Sequence, residues 1–226
     1  MDDLIALFQN IKNVKVIDSD IDYSDYVAIN LSANNPDLAT VNLTNAVAFE
    51  AYIENYLSKN KAKVAFGGYK EIRNLYKRST VFNAINSNER NIHIGLDLWI
   101  KAGTKVLAAL DGKIHSFQNN TALGDYGPTL ILEHQIENMT FYTLYGHLSL
   151  ESLNDKKVGT EVKKGDTIAT LGAPPINGDY ASHLHFQIII DMENKKGDYP
   201  GVCSINDLDF YSENCPDPNL LLKIRK

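Results

Sequence analysis

Five side chains carry the chemistry that this sequence could perform. His93-Ile94-Gly95-Leu96-Asp97 sets a histidine and a carboxylate four residues apart, so on an extended chain both fall on one face, and Gly95 allows another group to approach closely. His183-Leu184-His185-Phe186 sets two imidazoles on one strand face, with Leu184 and Phe186 turned toward a core. Between these motifs, Tyr145-Gly146-His147-Leu148 places a further histidine just past a strand-like run. Two neutral imidazoles and one carboxylate suit Zn²⁺ and leave a fourth tetrahedral position for water. Zinc acidifies such a water toward a pKa of about 7 and polarises a carbonyl. Histidines that are not ligands would then move the proton to the leaving amine, since their ordinary pKa of about 6.5 suits that transfer.

Taken singly these motifs are weak, because a lone histidine on a strand is usually a hydrogen-bonded structural residue. The joint pattern in strand context carries the signal. His115 and His134 lie inside strand-like runs and are read as structural. Spacing alone does not say which of His183 and His185 is the ligand.

The elements that must position these groups are mostly strands. Val106–Leu110, Lys113–Phe117, Thr129–His134, Phe141–Tyr145, Thr167–Leu171 and Leu184–Ile190 are short, rich in β-branched or aromatic residues, and separated by Gly, Asp, Asn or Pro. Asp111-Gly112 reads as a tight hairpin between the first two. The pattern predicts an antiparallel β-sandwich or an open, barrel-like sheet. The first sixty or so residues differ. Leu4, Ile5, Leu7, Phe8 and Ile11 follow helical spacing, as do Phe49, Tyr52, Ile53, Tyr56 and Leu57, with Thr44 or Asn45 as cap. Val14–Ile17 and Tyr26–Leu31 suggest short strands, and Ser58-Lys59-Asn60-Lys61 closes the segment. Residues 1–62 are thus expected to form an α+β extension.

Composition narrows the function classes. The 226 residues, 44% of them apolar, suffice for a core that needs no structural metal, so a metal site would be functional. Twenty-two basic against 28 acidic residues give no electrostatic footprint for nucleic acid. No run approaches the roughly 20 apolar residues that span a bilayer. The acidic start Met1-Asp2-Asp3 lacks the basic region of a secretory signal, so a cytoplasmic setting is expected, with Cys203 and Cys215 as free thiols. No H-E-x-x-H or G-x-S-x-G occurs, and nothing near Cys203 supplies a thiol-protease signature.

On these residues the sequence resembles the lysostaphin-like zinc metallopeptidases, which cleave peptides of bacterial cell walls. The family's H-x-x-x-D falls on His93 and Asp97, its H-x-H on His183 and His185, and its intervening G-H on Gly146 and His147. Ala108-Ala109-Leu110-Asp111-Gly112, Asp125-Tyr126-Gly127 and Val162-Lys163-Lys164-Gly165-Asp166 through Gly172 support the match, which spans about Val64 to Ile190. The resemblance implies a mainly β peptidase domain over 63–226, Zn²⁺ held by His93, Asp97 and His185, His147 and His183 as the catalytic pair, and a peptide substrate of peptidoglycan type. Where secreted members commonly have Gly-Tyr-Gly-Asn, this chain has Asp125-Tyr126-Gly127-Pro128, so its substrate preference is expected to differ.

A narrower likeness rests on Gly67-Gly68-Tyr69, Arg73, Leu75-Tyr76, Leu110-Asp111-Gly112-Lys113-Ile114-His115-Ser116-Phe117, Gly197-Asp198-Tyr199-Pro200-Gly201-Val202 and Cys215-Pro216-Asp217-Pro218-Asn219-Leu220. These resemble peptidase-like modules in bacterial fusions between a kinase-like module and a class III aminotransferase. That likeness implies an aminotransferase or a kinase-like protein as partner. The competing reading is a catalytically silent binding or scaffold module that keeps the fold and the zinc site. Lys164-Gly165-Asp166-Thr167 is also similar to the half-barrels of biotinyl carriers, but the lysine at a hairpin tip that such carriers need is not found.

Overall fold

A computed structural model describes residues 2–75 and 89–225. Tyr76, part of the narrower likeness, lies outside the described residues. The described residues form twelve strands and four α-helices, and eight strands join in one sheet of order β1-β2-β4-β11-β8-β7-β6-β9. The strands of that sheet are β1 (Tyr26–Ala28), β2 (Val64–Gly67), β4 (Leu96–Trp99), β6 (Gly112–Asn120), β7 (Gly127–Ile136), β8 (Met139–Gly146), β9 (Glu161–Val162) and β11 (His183–Ile189). Every pairing is antiparallel except β1 with β2. Two smaller pairs complete the β structure: β5 (Lys105–Leu107) with β10 (Thr167–Thr170), and β3 (Ile92–His93) with β12 (Val202–Cys203). The fold is therefore mainly β and built on an open sheet, with no closed barrel among the described residues.

The central strand β11 shows how the sequence pattern becomes two layers. All seven of its residues are buried. Leu184, Phe186 and Ile188 enter the main apolar core, where α1 (Asp2–Asn10), the β5–β10 pair and α4 (Asn219–Leu222) cover that face through Phe8, Val106, Ile168 and Leu222. His183, His185 and Gln187 alternate with them onto the opposite face. Burying these aliphatic and aromatic side chains contributes about 1.5–3 kcal/mol each. The same core thus holds the polar face of β11 in place.

Residues 2–62 are joined to this core rather than set apart from it. β1 extends the sheet in parallel with β2, and Leu4, Phe8, Val14, Val16 and Ile17 share the main core. Helix α2 (Ala46–Asn60) starts at Asn45, whose side chain accepts a hydrogen bond from Ala48 N at 2.8 Å. It lays Phe49 and Ile53 on the sheet, with the Phe49 and Trp99 rings 5.0 Å apart.

Three local expectations are corrected. Val14–Ile17 is not a strand: it makes one bridge, Ile17 to Val106, because only Val16 O and Asp18 N reach β5. The expected strand Tyr26–Leu31 stops at Ala28. Asp111-Gly112 does not join paired strands, since β5 pairs with β10 while β6 pairs with β7 and β9. The Asp111 carboxylate instead accepts from Lys164 N at 2.8 Å, bracing the β9–β10 turn as the chain crosses between sheets.

Candidate metal centre

The five predicted side chains all line one cleft, on the face of the sheet opposite the main core. His183 and His185 come from β11, Asp97 from the neighbouring β4, and His147 follows the end of β8. His93 arrives differently. The extended chain expected for His93–Asp97 breaks at Ile94-Gly95, because β3 pairs with β12 whereas β4 pairs with β2 and β11. The break lets the two side chains converge: His93 Nε2 lies 3.2 Å from Asp97 Oδ1. Gly95 is required there, since a Cβ at this position would stand 2.4 Å from the His185 ring.

One donor atom each from His93, Asp97 and His185 falls within 4.8 Å of the others. Their hydrogen bonds fix which atoms these are. His93 Nδ1 donates to Gly68 O at 3.0 Å, which leaves the Nε2 lone pair facing inward. Gln187 gives its amide hydrogens to Pro200 O and Cys215 Sγ, so its oxygen points the other way and accepts from His185 Nε2 at 2.9 Å. His185 Nδ1 is thereby the inward lone pair, 2.9 Å from His93 Nε2 and 3.3 Å from Asp97 Oδ1. Asp97 Oδ1 is buried with no hydrogen-bond partner. Three lone pairs converging without a proton repel one another, and a cation removes that repulsion, so the residues fit a metal ion.

The charges agree with this arrangement. Burial opposes ionisation of Asp97, but the Arg73 guanidinium paired with its Oδ2 overrides it and holds the carboxyl well below its usual range. Burial pushes His93 down to about 4, so its ring is neutral at pH 7.

His147 and His183 are held by one nitrogen each. His183 Nδ1 donates to Ala181 O at 2.7 Å, and its ring stacks on Trp99 with centroids 3.9 Å apart. His147 Nδ1 donates to Asn177 O at 2.8 Å, from a backbone position with φ 64°. Their rings lie 4.2 Å apart. Burial lowers both pKa values, His183 to about 4 and His147 well below its ordinary value with help from the neighbouring imidazoles. Both rings are neutral at pH 7, with Nε2 as the basic atom.

The surrounding shell was not read from the sequence. Trp99, two residues past Asp97, offered a signal as the chain's single tryptophan. Gln187 and Asn177 offered none, and Arg73 was marked only by the narrower likeness, because contact across the fold is what assigns them to this site; the Tyr126 loop was marked by its Asp125-Tyr126-Gly127-Pro128 departure. The Asp125-Tyr126 segment borders the cleft, as does 198–202, including Asp198 and Gly201. His115 and His134 lie elsewhere. His134 is fully buried with both nitrogens hydrogen-bonded, and half-buried His115 packs against Tyr142.

Three convergent lone pairs beside two imidazoles with free basic atoms make the donor set of a mononuclear metallohydrolase. The family comparison agrees with that class: residues 91–197, which hold all five side chains, match Peptidase family M23. Two imidazoles and one carboxylate are a donor set that fits Zn²⁺ as the cofactor. No curated protein matches the chain. Among solved structures, the chain is similar to the catalytic domain of the antimicrobial peptidase lysostaphin from Staphylococcus simulans, at 24% identity over 68% of this chain and 94% of that one, TM-score 0.42. A zinc-containing peptidase from Vibrio cholerae matches at 27% identity over 54% of this chain and 36% of that one, TM-score 0.33. Csd3 from Helicobacter pylori matches at 24% identity over 54% and 32%, TM-score 0.33. The chain spans about a third of the length of these last two, and 44% of a longer lysostaphin chain.

Proposed function

We propose that this protein is a zinc metallopeptidase that hydrolyses amide bonds in short peptides containing glycine or D-alanine, as peptidoglycan fragments do. The observation that carries the reading is the division of labour among five side chains on one cleft. Three present lone pairs to a common point, and two keep a basic Nε2 beside it. His93, Asp97 and His185 would hold the metal. Bound zinc would supply Lewis acidity, polarising the amide carbonyl and acidifying water. His147 and His183 provide the proton path. Each is neutral at pH 7 with Nδ1 tied to a backbone carbonyl, so a proton taken from water arrives at Nε2. The resulting imidazolium then donates that proton to the leaving amine, or a hydrogen bond to the oxygen that gains charge. A cleft on a sheet face, walled by Tyr126, Tyr180 and Trp99, favours an extended backbone with small side chains near the metal.

The likeness to the fusion modules supports an aminotransferase or a kinase-like protein as partner. The two free buried cysteines support a cytoplasmic setting, with internalised wall fragments as the peptide source. The test is mass spectrometry of Gly- and D-Ala-containing peptides incubated with zinc-loaded protein, with His183→Ala as blank. Cleavage is expected at one amide bond. Full zinc occupancy with no cleavage across a broad panel would overturn the reading in favour of a silent binding module.

A further inference from the structure

Arg73 lies outside residues 91–197, yet it touches a side chain at the heart of the site. It is 2% exposed, and its Nη1 donates to Asp97 Oδ2 at 2.5 Å. Its Nε donates to Glu71 Oε2 at 2.6 Å, and Glu71 Oε1 accepts from Leu31 N at 2.9 Å. The arginine is therefore anchored at its far side before it reaches Asp97. Its backbone is anchored too: Arg73 N donates to Asn91 O, His93 N to Glu71 O and Lys70 N to His93 O, so 70–73 runs against 91–93. Gly68 completes the platform. Its carbonyl accepts from His93 Nδ1, and a Cβ there would stand 1.9 Å from Arg73 Nη2. One short segment thus orients two of the three groups that converge on the centre.

We propose that Arg73, braced by Glu71, is a positioning residue of the metal centre: it occupies Asp97 Oδ2 so that the carboxylate faces the metal through Oδ1 alone, and it links that ligand to the backbone of the N-terminal segment at Leu31. The inference rests on the metallopeptidase reading, because ligand orientation matters only where a metal binds. Glu71 also balances the guanidinium charge, so the metal is not opposed by a bare buried cation. A buried planar fork fits this task. Lysine carries its three donors on a single nitrogen and cannot reproduce the two separate contacts, Nε to Glu71 and Nη1 to Asp97, that the fork makes.

The experiment measures zinc affinity by competition with a chromophoric chelator, and the visible absorption of the cobalt-substituted protein, in the parent, Arg73→Lys and the charge-neutral double variant Glu71→Gln/Arg73→Met. The double variant is expected to bind zinc about 10- to 100-fold more weakly, the usual effect of losing a group that orients a ligand. Its cobalt bands should weaken as the freed Oδ2 joins the metal and coordination rises. Arg73→Lys should lose several-fold, which decides the matter if the double variant does not fold. Folded variants with the parent's zinc affinity and the parent's cobalt spectrum would overturn the proposal. A parent chain that binds no zinc would instead overturn the metal reading beneath it.

Discussion

His134 lies on β7 and His147 just past the neighbouring strand β8, both are buried, and they differ in how many of their nitrogens are spoken for. His134, on β7, is fully buried, with Nδ1 on Asp111 O at 2.8 Å and Nε2 paired with Thr143 Oγ1 at 2.7 Å. His147, just beyond β8, is 5% exposed and anchored through Nδ1 alone, while its Nε2 has no hydrogen-bond partner among the described residues. Burial lowers the pKa of both, so neither burial nor charge state separates them. The count of satisfied atoms does. A histidine with two internal partners is a strut, whereas one with a single partner has a lone pair left for chemistry.

The sharpest break of that contrast lies in the metal ligands. Asp97→Ala removes the only anionic donor of the converging set, and we expect the chelated and reconstituted variant to retain no stoichiometric zinc by metal analysis, with turnover at background. Zinc held as tightly as in the parent would mean that the ligands lie elsewhere. Next come the two kinds of histidine. His147→Ala and His183→Ala should keep their zinc and lose about 10²- to 10⁴-fold in turnover, whereas His134→Ala should keep both. Loss of turnover in a folded, zinc-loaded His134→Ala protein would erase the distinction between strut and catalyst.

Stability sharpens the same comparison from the other side. His134→Ala leaves Asp111 O and Thr143 Oγ1 without their partner and should cost about 1–3 kcal/mol in denaturant unfolding, and a variant as stable as the parent would contradict the strut role. A smaller and more distributed effect follows from pH. The folded-state pKa values of His93, His183, His134 and His147 all lie below the unfolded value near 6.5, with His93 and His183 at about 4. As pH falls below 6.5 the unfolded chain takes up protons that the folded chain refuses. Metal-free protein should therefore be most stable above 6.5 and lose about 1.4 kcal/mol per pH unit for each of His93 and His183 on the way down to pH 4, with His134 and His147 adding to the loss in the same direction. A flat profile across that window would show that these rings protonate freely in the folded state. The smallest effect concerns the thiols: burial pushes Cys203 up to about 11 and Cys215 up to about 12, so both should resist alkylation until the chain is unfolded.

The sequence by itself determined the mainly β class and the five side chains that line the cleft. The reason is that strand alternation is local: two residues apart on β11 is enough to put His183 and His185 on one face and Leu184 and Phe186 on the other, and four histidines with an aspartate in that context have few other readings. Helix α2 was legible for the same reason, with its cap narrowed to Thr44 or Asn45, and the fold chose Asn45. What tertiary structure decided was everything that depends on partners distant in sequence. Asp111-Gly112 looked like a hairpin because a turn dipeptide is a local signal, while strand pairing is settled by which sheet each neighbour joins. His93 and Asp97 meet because the chain changes partners at Gly95, which no spacing rule reveals. Which nitrogen of each imidazole faces inward depends on Gly68 O, Gln187, Asn177 O and Ala181 O, acceptors supplied mainly by segments that touch the histidines only in the folded chain. Arg73 and Glu71 acquire their role only when residues 68–73 fold against 91–93, because a hydrogen bond reaches about 3 Å in space and takes no account of separation along the chain.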